Sequence, residues 1–303
     1  MVAFELHGHP DGKRDGLRRV LHAGVPVLAA ARDGELFPLR GSLAELLGAG
    51  GSALVEAAAR ALSEPPLRTP ATLLAPVDRQ EVWAGGVTYR RSADAREQES
   101  VAADVYTRVY DAERPELFLK ATPARVPAPG APLRIRADSG WDVPEPELAL
   151  VLDAAAQIVG YLAADDVSSR AIEGANPLYL PQAKIYDDAL GLSGTIVLAS
   201  GDDSAVRTAA IELSIHRAGA VVFAGSTSVA EMKRSFEELV AALFVELSHP
   251  AGAVLLTGTG IVPPDDFSLA PGDAVRIAIE GVGVLEHEIY RQEPREHVED
   301  ADR

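Results

Sequence analysis

The chain has 303 residues, of which 45 are acidic and 28 basic, so its formal net charge is −17 at pH 7. This excess of negative charge repels phosphate backbones and argues against a nucleic-acid partner. Hydrophobic residues make up 47% of the chain and charged residues 24%, a globular composition that excludes wholesale disorder.

Three features that the sequence lacks bear on the cellular location of the protein. No apolar run approaches the roughly 20 residues that a membrane-spanning helix needs, so we expect no membrane partner. The first residues lack a basic-then-apolar signal pattern. The chain has no cysteine, which excludes disulfides, thiolate zinc sites and a cysteine nucleophile. We therefore expect a cytoplasmic protein.

Residues 1–75 are predicted to form a small α+β domain. Residues 25–30 and 36–39 flank the turn Asp33-Gly34 and predict a β-hairpin. Two short helices follow at 42–49 and 52–63, each opened by a serine that can cap it. The proline-rich segment 64–76 is the predicted linker to a larger domain at 76–290, and residues 291–303 form a charged tail.

The larger domain is predicted to be mostly β. A hairpin at 211–224 and an alternating strand at 273–280 are indicated in its second half. A short helix with an acidic start is predicted at 165–174, and the polar, loosely helical segment 92–110 is a candidate for a mobile cover. The remaining predicted strands are 82–87, 117–121, 133–136, 145–152 and 158–163.

One long helix is predicted at 228–247. Ser228 and Glu231 have the spacing of a capping box, and an apolar stripe follows at helical intervals. We interpret that stripe as a core face. The end of the chain, from residue 287, is charged and is expected to fray. The fold class is therefore mainly β, or α+β, with helices packed outside the sheets.

Two glutamates on one predicted strand are the first candidates for chemistry. Side chains alternate along a strand, so Glu145 and Glu147 point the same way, with Cα atoms roughly 6.5–7 Å apart. Three leucines, at 148, 150 and 152, occupy the opposite side. Two interpretations remain open, a solvated strand face and a pair of carboxylates that bind a cation.

Asp165 and Asp166 follow the next predicted strand. They either cap the short helix or supply a third oxygen ligand. Three carboxylates without cysteine or clustered histidine are typical of a site for a hard cation, with Mg²⁺ favoured and Mn²⁺ or Ca²⁺ as alternatives.

Two further segments carry candidate residues. Near a divalent cation the pKa of a lysine falls, so Lys184 is either a base or an ordinary surface charge. The segment Thr257-Gly-Thr259-Gly is either a turn or a place where small residues let an anionic ligand approach the backbone.

The order of these motifs resembles the fumarylacetoacetate hydrolase family. The chain reads E-x-E, then D-V-S-S-R, then A-K-x-x-D, then T-G-T-G-x-V-P, and the resemblance covers roughly residues 83–285. It also includes the segment Pro115-Glu-Leu-Phe-x-Lys120. The resemblance implies a mixed β pseudo-barrel and a divalent metal, Mg²⁺ first, held by Glu145, Glu147 and Asp166 with Lys184 beside it. It further implies a 2-oxo acid substrate and a homo-oligomer, a dimer or tetramer.

Within the family, the chain resembles the dehydratases of 2-keto-3-deoxy sugar acids. The N-terminal module and the segments P-E-P-E-L-A-L-V and E-G-x-N-P-L-Y-L-P-Q-A-K carry this resemblance. It implies a reaction such as 2-dehydro-3-deoxy-D-arabinonate to 2,5-dioxopentanoate, in which Lys184 removes a proton from C3. We expect Thr259 to bind the substrate. Arg91 is either a partner of the substrate carboxylate or a surface residue.

Four departures from the family pattern bear on the reaction. Ser92 and Ala95 stand where the hydrolases carry a histidine and a glutamate that activate water, which weakens a hydrolytic reaction. Asp165 adds a negative charge where asparagine is common, and Ala171 removes one. The alternatives are an acylpyruvate-type hydrolase or oxo-acid decarboxylase on the same metal, and an idle family member that acts as a binding or biosynthetic partner.

Overall fold

The computed structural model describes residues 15–92 and 103–293 of the chain. Most of its regular structure is β, which confirms the predicted class. The helices are α1 (Leu43–Gly48), α2 (Gly51–Ala61), α3 (Ala103–Asp111), α4 (Arg170–Ala175), α5 (Leu180–Lys184), α6 (Ser204–Arg207) and α7 (Phe236–Phe244), with 3₁₀ turns at Pro123–Arg125, Pro177–Tyr179 and Val229–Glu231. The strands are β1 (Gly16–His22), β2 (Val25–Arg32), β3 (Glu35–Pro38), β4 (Thr72–Leu73), β5 (Glu81–Gly86), β6 (Glu116–Ala121), β7 (Leu133–Ile135), β8 (Asp142–Val143), β9 (Pro146–Leu152), β10 (Ile158–Asp166), β11 (Ser168–Ser169), β12 (Leu190–Leu192), β13 (Val197–Leu198), β14 (Ala210–Arg217), β15 (Ala220–Ser228), β16 (Ala253–Leu256), β17 (Ala274–Ile279) and β18 (Gly283–Arg291).

The N-terminal residues form an antiparallel sheet in the order β3-β2-β1-β4, with α1 and α2 following β3 in the chain. The predicted hairpin is confirmed, and both turn residues, Asp33 and Gly34, have the positive φ that such a turn requires. Ser42 caps α1 as expected, but α2 begins at Gly51 with Gly50 as its N-cap, so Ser52 is not the cap. The segment predicted as a linker contains β4, which pairs with β1 and extends the sheet.

Two larger sheets make up the rest of the chain. One runs β12-β10-β9-β16-β5-β6, with β13 also paired to β10, and the other runs β15-β14-β17-β18-β7. Neighbouring strands are antiparallel except for the parallel pairs β16–β5 and β18–β7. Among the described residues, no helix is long and apolar enough to cross a membrane.

Strand β9 is buried on both sides, which places it between two apolar cores. Leu148, Leu150 and Leu152 face a core that includes the inward side chains of β14 and β17 and of helix α7. Ala149 and Val151 face a second core that includes side chains of β1, α1 and α2. Each fully buried leucine contributes about 1.5–3 kcal/mol, so the central strand is held firmly. The domain boundary at residue 75 stays a prediction, since the N-terminal sheet shares this second core.

The predicted start of the helix at 165–174 is wrong. Strand β10 continues through Asp166, a short strand follows at Ser168–Ser169, and the helix begins only at Arg170, where the Ser169 hydroxyl accepts the Ile172 N–H. Asp165 and Asp166 therefore end a strand instead of opening a helix, because they pair with β12 and β9.

The predicted helix at 228–247 is also shorter than expected. Ser228 caps only a 3₁₀ turn, and α7 begins after a second capping box formed by Ser235 and Glu238. Met232 is extended because it bridges to Tyr89, and the next N–H, of Lys233, donates to the Thr88 carbonyl oxygen at 2.9 Å. This pairing interrupts the helix that the apolar periodicity alone predicts.

The strands predicted in the second half are confirmed. β14 and β15 form the hairpin, and β17 buries Val275, Ile277 and Ile279 on one side. The chain does not fray at residue 287, however, because β18 continues to Arg291. Most of the predicted tail, residues 294–303, lies outside the described residues, as do residues 93–102 of the predicted cover.

Candidate metal and 2-oxo acid site

Three carboxylates meet where β9 and β10 lie side by side. Glu145 immediately precedes β9, Glu147 is its second residue, and Asp166 is the last residue of β10. All three side chains are buried, and one oxygen from each lies within 4.8 Å of the others. The alternative of a solvated strand face is therefore excluded.

Three cationic side chains surround this carboxylate triad, defined as Glu145, Glu147 and Asp166. Lys184 Nζ lies 2.7 Å from Glu145 Oε2 and 3.4 Å from Asp166 Oδ2. Arg170 Nη1 lies 3.3 Å from Glu145 Oε1. Lys120 Nζ lies 2.5 Å from Asp166 Oδ1. Lys184 is thus beside the triad as predicted, and its surface interpretation is excluded by its burial.

Lys120 is a site residue to which sequence reasoning assigned no role. Its side chain is entirely buried, and besides Asp166 its ammonium donates to the carbonyl oxygens of Val167 at 3.0 Å and Lys184 at 2.6 Å. Burial lowers the pKa of Lys120, while the Asp166 carboxylate opposes that shift. The ammonium therefore links a metal-site carboxylate to the backbone of the helix that carries Lys184.

Glu147 contacts the T-G-T-G motif, which directly follows β16. The Gly258 N–H donates to Glu147 Oε2 at 2.5 Å. Residue 258 must be glycine, because its φ is +90° and a Cβ there would overlap Thr88 Oγ1. The motif thus brings a backbone donor to a carboxylate ligand.

Electrostatics of the triad favour a bound cation. Burial raises the pKa of Glu147 well above its ordinary value, and the neighbouring charges of Asp166 and Glu145 raise it further. A divalent cation would remove this penalty, since it pairs with all three carboxylates at once. Three oxygen donors, with no histidine or cysteine among them, fit Mg²⁺ in particular.

A small pocket opens on the triad. Lys184 and Thr259 line it, together with three polar residues that were not predicted to act in the site. Those three are Ser92, Glu116 and Glu173. A Cβ at position 86 would overlap the Glu116 carboxylate, so a larger residue than Gly86 would displace that side chain. The pocket therefore has the charged lining of a site for a small polar molecule.

Arg91 lies outside this pocket lining. It is exposed, and its guanidinium donates to the Val262 carbonyl oxygen at 3.3 Å. Its contact with a substrate carboxylate stays a prediction.

Two of the departures from the family pattern also lie away from the pocket. Ala171 is exposed, and the Asp165 carboxylate contacts His287 instead. Ala95 lies outside the described residues.

Comparison with known proteins agrees with this geometry. Residues 81–290 match the family model described as fumarylacetoacetate (FAA) hydrolase C-terminal. The chain belongs to the fumarylacetoacetate hydrolase family. The match spans β5 to β17 and all but the last residue of β18, and with them the triad, Lys120 and Lys184.

Two curated family members are similar over most of the chain. A probable 2-keto-3-deoxyxylonate dehydratase of Haloferax volcanii is 49% identical over 71% of this chain and 73% of its own length. A 2-dehydro-3-deoxy-D-arabinonate dehydratase of Saccharolobus solfataricus is 42% identical over 69% of this chain and 72% of its own length.

A solved structure is similar over nearly the whole chain. The 2-keto-3-deoxy-D-arabinonate dehydratase complexed with magnesium and 2,5-dioxopentanoate is 32% identical, with a TM-score of 0.77 over 92% of this chain and 99% of that one. The N-terminal module is therefore included in the structural likeness. The family fold that the motifs implied is confirmed.

Proposed function

We propose that the protein is a Mg²⁺-dependent dehydratase of 2-keto-3-deoxy sugar acids, for example of 2-dehydro-3-deoxy-D-arabinonate to 2,5-dioxopentanoate. The observation that carries the proposal is the buried carboxylate triad with Lys184 against it in one small polar pocket. The names of the relatives support the choice of substrate class.

Glu145, Glu147 and Asp166 would hold the metal. Bound Mg²⁺ supplies a Lewis acid that polarises the C2 carbonyl of a 2-oxo acid and makes the C3 protons more acidic. The chain's own contribution is a charged pocket in which Gly258 and Lys120 keep two of the ligand carboxylates in place. Thr259 lines the same pocket and is proposed to bind the substrate through its hydroxyl.

Lys184 and Glu116, both in the pocket lining, are the candidates to take the proton from C3. Lys184 is the predicted base, but its ammonium lies between Glu145 and Asp166 and must lose a proton before it can accept one. Glu116 lines the same pocket and accepts a proton directly in its ionised form. The C4 hydroxyl then leaves as water with the proton taken from C3, which leaves a C3=C4 double bond. A proton shift from C5 to C3 gives the C4=C5 enol, and transfer of the enol hydroxyl proton to C4 gives the C5 aldehyde.

Exchange of the C3 protons with solvent separates these two bases. A 2-oxo acid without a C4 hydroxyl, 2-oxopentanoate, is incubated with enzyme and Mg²⁺ in D₂O and followed by proton NMR. If Lys184 is the base, Lys184→Met abolishes exchange and Glu116→Gln keeps it. The reverse pattern assigns the step to Glu116. Each variant's Mg²⁺ affinity is the control, because a base variant should still bind metal.

The test of the proposed reaction is turnover of a substrate panel with Mg²⁺ and with EDTA. We expect the 2-keto-3-deoxy pentonates to yield water and an aldehyde product only when metal is present. Cleavage of acylpyruvates or oxaloacetate to pyruvate, with no dehydration, would support the hydrolase or decarboxylase alternative. Metal binding without turnover of any 2-oxo acid would support the idle binding partner.

Two further parts of the proposal concern the protein's state in the cell. We propose a homo-oligomer, a dimer or tetramer, and a cytoplasmic location. Light scattering of the purified protein tests the first, and fractionation of the source cells tests the second. A monomer, or a protein recovered outside the cytoplasmic fraction, would contradict these assignments.

A further inference from the structure

A buried aspartate–histidine pair lies directly behind the carboxylate triad. Asp165 Oδ2 is 2.9 Å from Nε2 of His287, and both side chains are at most 1% exposed. The two atoms lie at hydrogen-bond distance, with Nε2 as the donor when it carries the ring proton. The two residues come from β10 and β18, which belong to different sheets.

The other oxygen of Asp165 holds the backbone of a metal-site residue. Asp165 Oδ1 accepts the N–H of Glu145 at 2.9 Å. The Glu145 carbonyl oxygen accepts the N–H of Asp166, also at 2.9 Å. Both backbone groups of Glu145 are therefore bound to the last two residues of β10.

These two bonds matter because of the residues on either side of Glu145. Pro144 and Pro146 have no N–H to donate, so the Glu145 amide is the single backbone donor in this stretch. This donor belongs to a residue that is only 4% exposed, where a backbone N–H needs a hydrogen-bond acceptor. The Asp165 carboxylate satisfies this donor and so sets where β9 starts.

His287 occupies a position where the strand pattern calls for an apolar residue. Leu285, His287 and Ile289 are the inward side chains of β18, with exposed glutamates between them. Its Nδ1 is buried and has no hydrogen-bond partner among the described residues. Burying a polar imidazole in a row of apolar side chains costs free energy unless a hydrogen bond compensates for it. The hydrogen bond that His287 makes is to Asp165.

We propose that Asp165 and His287 are positioning residues that fix the Glu145 backbone and thereby the affinity of the carboxylate triad for its divalent cation. This inference rests on the proposed function, because it requires the triad to bind metal. Outer partners of this kind typically change metal affinity by about 10–100-fold when they are removed.

The experiment measures Mg²⁺ affinity by titration calorimetry of the full chain. Asp165→Ala and His287→Leu should each weaken Mg²⁺ binding by about 10–100-fold. Asp165→Asn keeps an acceptor for the Glu145 N–H, and His287→Gln keeps a donor near the position of Nε2. Both conservative variants should bind within about threefold of the unaltered protein, on the same reasoning. His216→Leu, a change on β14 away from the triad, is the matched control.

The thermal midpoint of each metal-free variant is recorded beside its affinity. A role limited to stability would lower the midpoint of His287→Leu and leave the affinity of the folded protein unchanged, which would overturn the inference. Equal loss in the conservative and the disruptive variants would also overturn it. Absence of Mg²⁺ binding in the unaltered protein would instead refute the proposed function, so the two failures are distinguishable.

Discussion

Replacing Lys120 with methionine removes the most deeply buried charge next to the triad. The ammonium donates to Asp166 Oδ1 at 2.5 Å and to two backbone carbonyl oxygens, of Val167 and Lys184. Methionine has similar length and fills the same space, so the change removes the charge with little change in packing. Asp166 would keep the longer contacts with Lys184, at 3.4 Å, and with the Ser168 hydroxyl, at 3.5 Å.

The expected cost follows from leaving a buried carboxylate short of a partner. Breaking a buried ion pair by removing one member costs about 3–5 kcal/mol. The carbonyl oxygen of Lys184 also loses a donor, which adds about 1 kcal/mol. The remaining contact with Lys184 offsets part of this, so we expect a net loss of about 3–5 kcal/mol in the free energy of unfolding. Mg²⁺ should recover part of the loss, because it pairs with the same carboxylate.

The assay is urea unfolding in EDTA, followed by circular dichroism. Lys233→Met is the matched control, because that lysine pairs with Asp111 at a partly exposed position and should cost less than about 1 kcal/mol. A loss below about 1 kcal/mol for Lys120→Met, equal to the control, would refute the view that this ammonium stabilises the metal-free triad.

Further predictions concern Glu147 and its neighbour Gly258. Glu147→Gln should abolish Mg²⁺ binding yet raise the thermal midpoint of the metal-free protein, because the raised pKa of Glu147 means that its ionised form destabilises the fold. The difference in midpoint should grow as pH rises above 4.5, and no gain at pH 8 would contradict this. In the unaltered protein, Mg²⁺ competes with a proton for Glu147, whose pKa is raised, so the Mg²⁺ affinity should rise with pH by up to about tenfold per unit in calorimetry. A pH-independent affinity between pH 6 and 8 would count against that coupling. Gly258→Ala should cost about 1–3 kcal/mol through its φ of +90° and also weaken Mg²⁺ binding, whereas a variant as stable as the parent in urea would contradict the requirement for glycine.

Local patterns in the sequence were sufficient for parts of the site. The period-2 alternation of β9 placed Glu145 and Glu147 on one side and three leucines on the other, and the structure confirms this. Asp166 and Lys184 came from the resemblance to the family, since their local sequences fit an ordinary cap and an ordinary surface charge equally well. Thr259 was found by its motif, and it lines the pocket.

Other parts depended on contacts between distant residues. Lys120 and Arg170 stood within recognised motifs, but only the fold brings them to the triad. Lys120 pairs with Asp166, 46 positions away, and Arg170 pairs with Glu145, 25 positions away. His287 was assigned to a fraying tail because of its charged neighbours. The alternation of β18, with leucine and isoleucine two residues to either side, was the signal that could have identified it as buried.

Competing local signals explain the errors in the helices. Two capping-box sequences, at Ser228 and Ser235, precede the same apolar stripe. The pairing of Met232 with Tyr89 decides between them, and no periodicity in the sequence reveals that bridge. Similarly, Asp165 and Asp166 precede a helix closely enough to look like its first turn, but pairing with β9 and β12 draws them into a strand.

The central claim is that three buried carboxylates bind a divalent cation on which dehydration of a 2-keto-3-deoxy sugar acid depends. Its most direct test is carbon NMR of 2-dehydro-3-deoxy-D-arabinonate incubated with the protein and Mg²⁺, beside Glu145→Gln and EDTA controls. We predict that 2,5-dioxopentanoate accumulates with the unaltered protein and Mg²⁺ and in neither control. Product formed at an undiminished rate in EDTA or by Glu145→Gln would contradict the account.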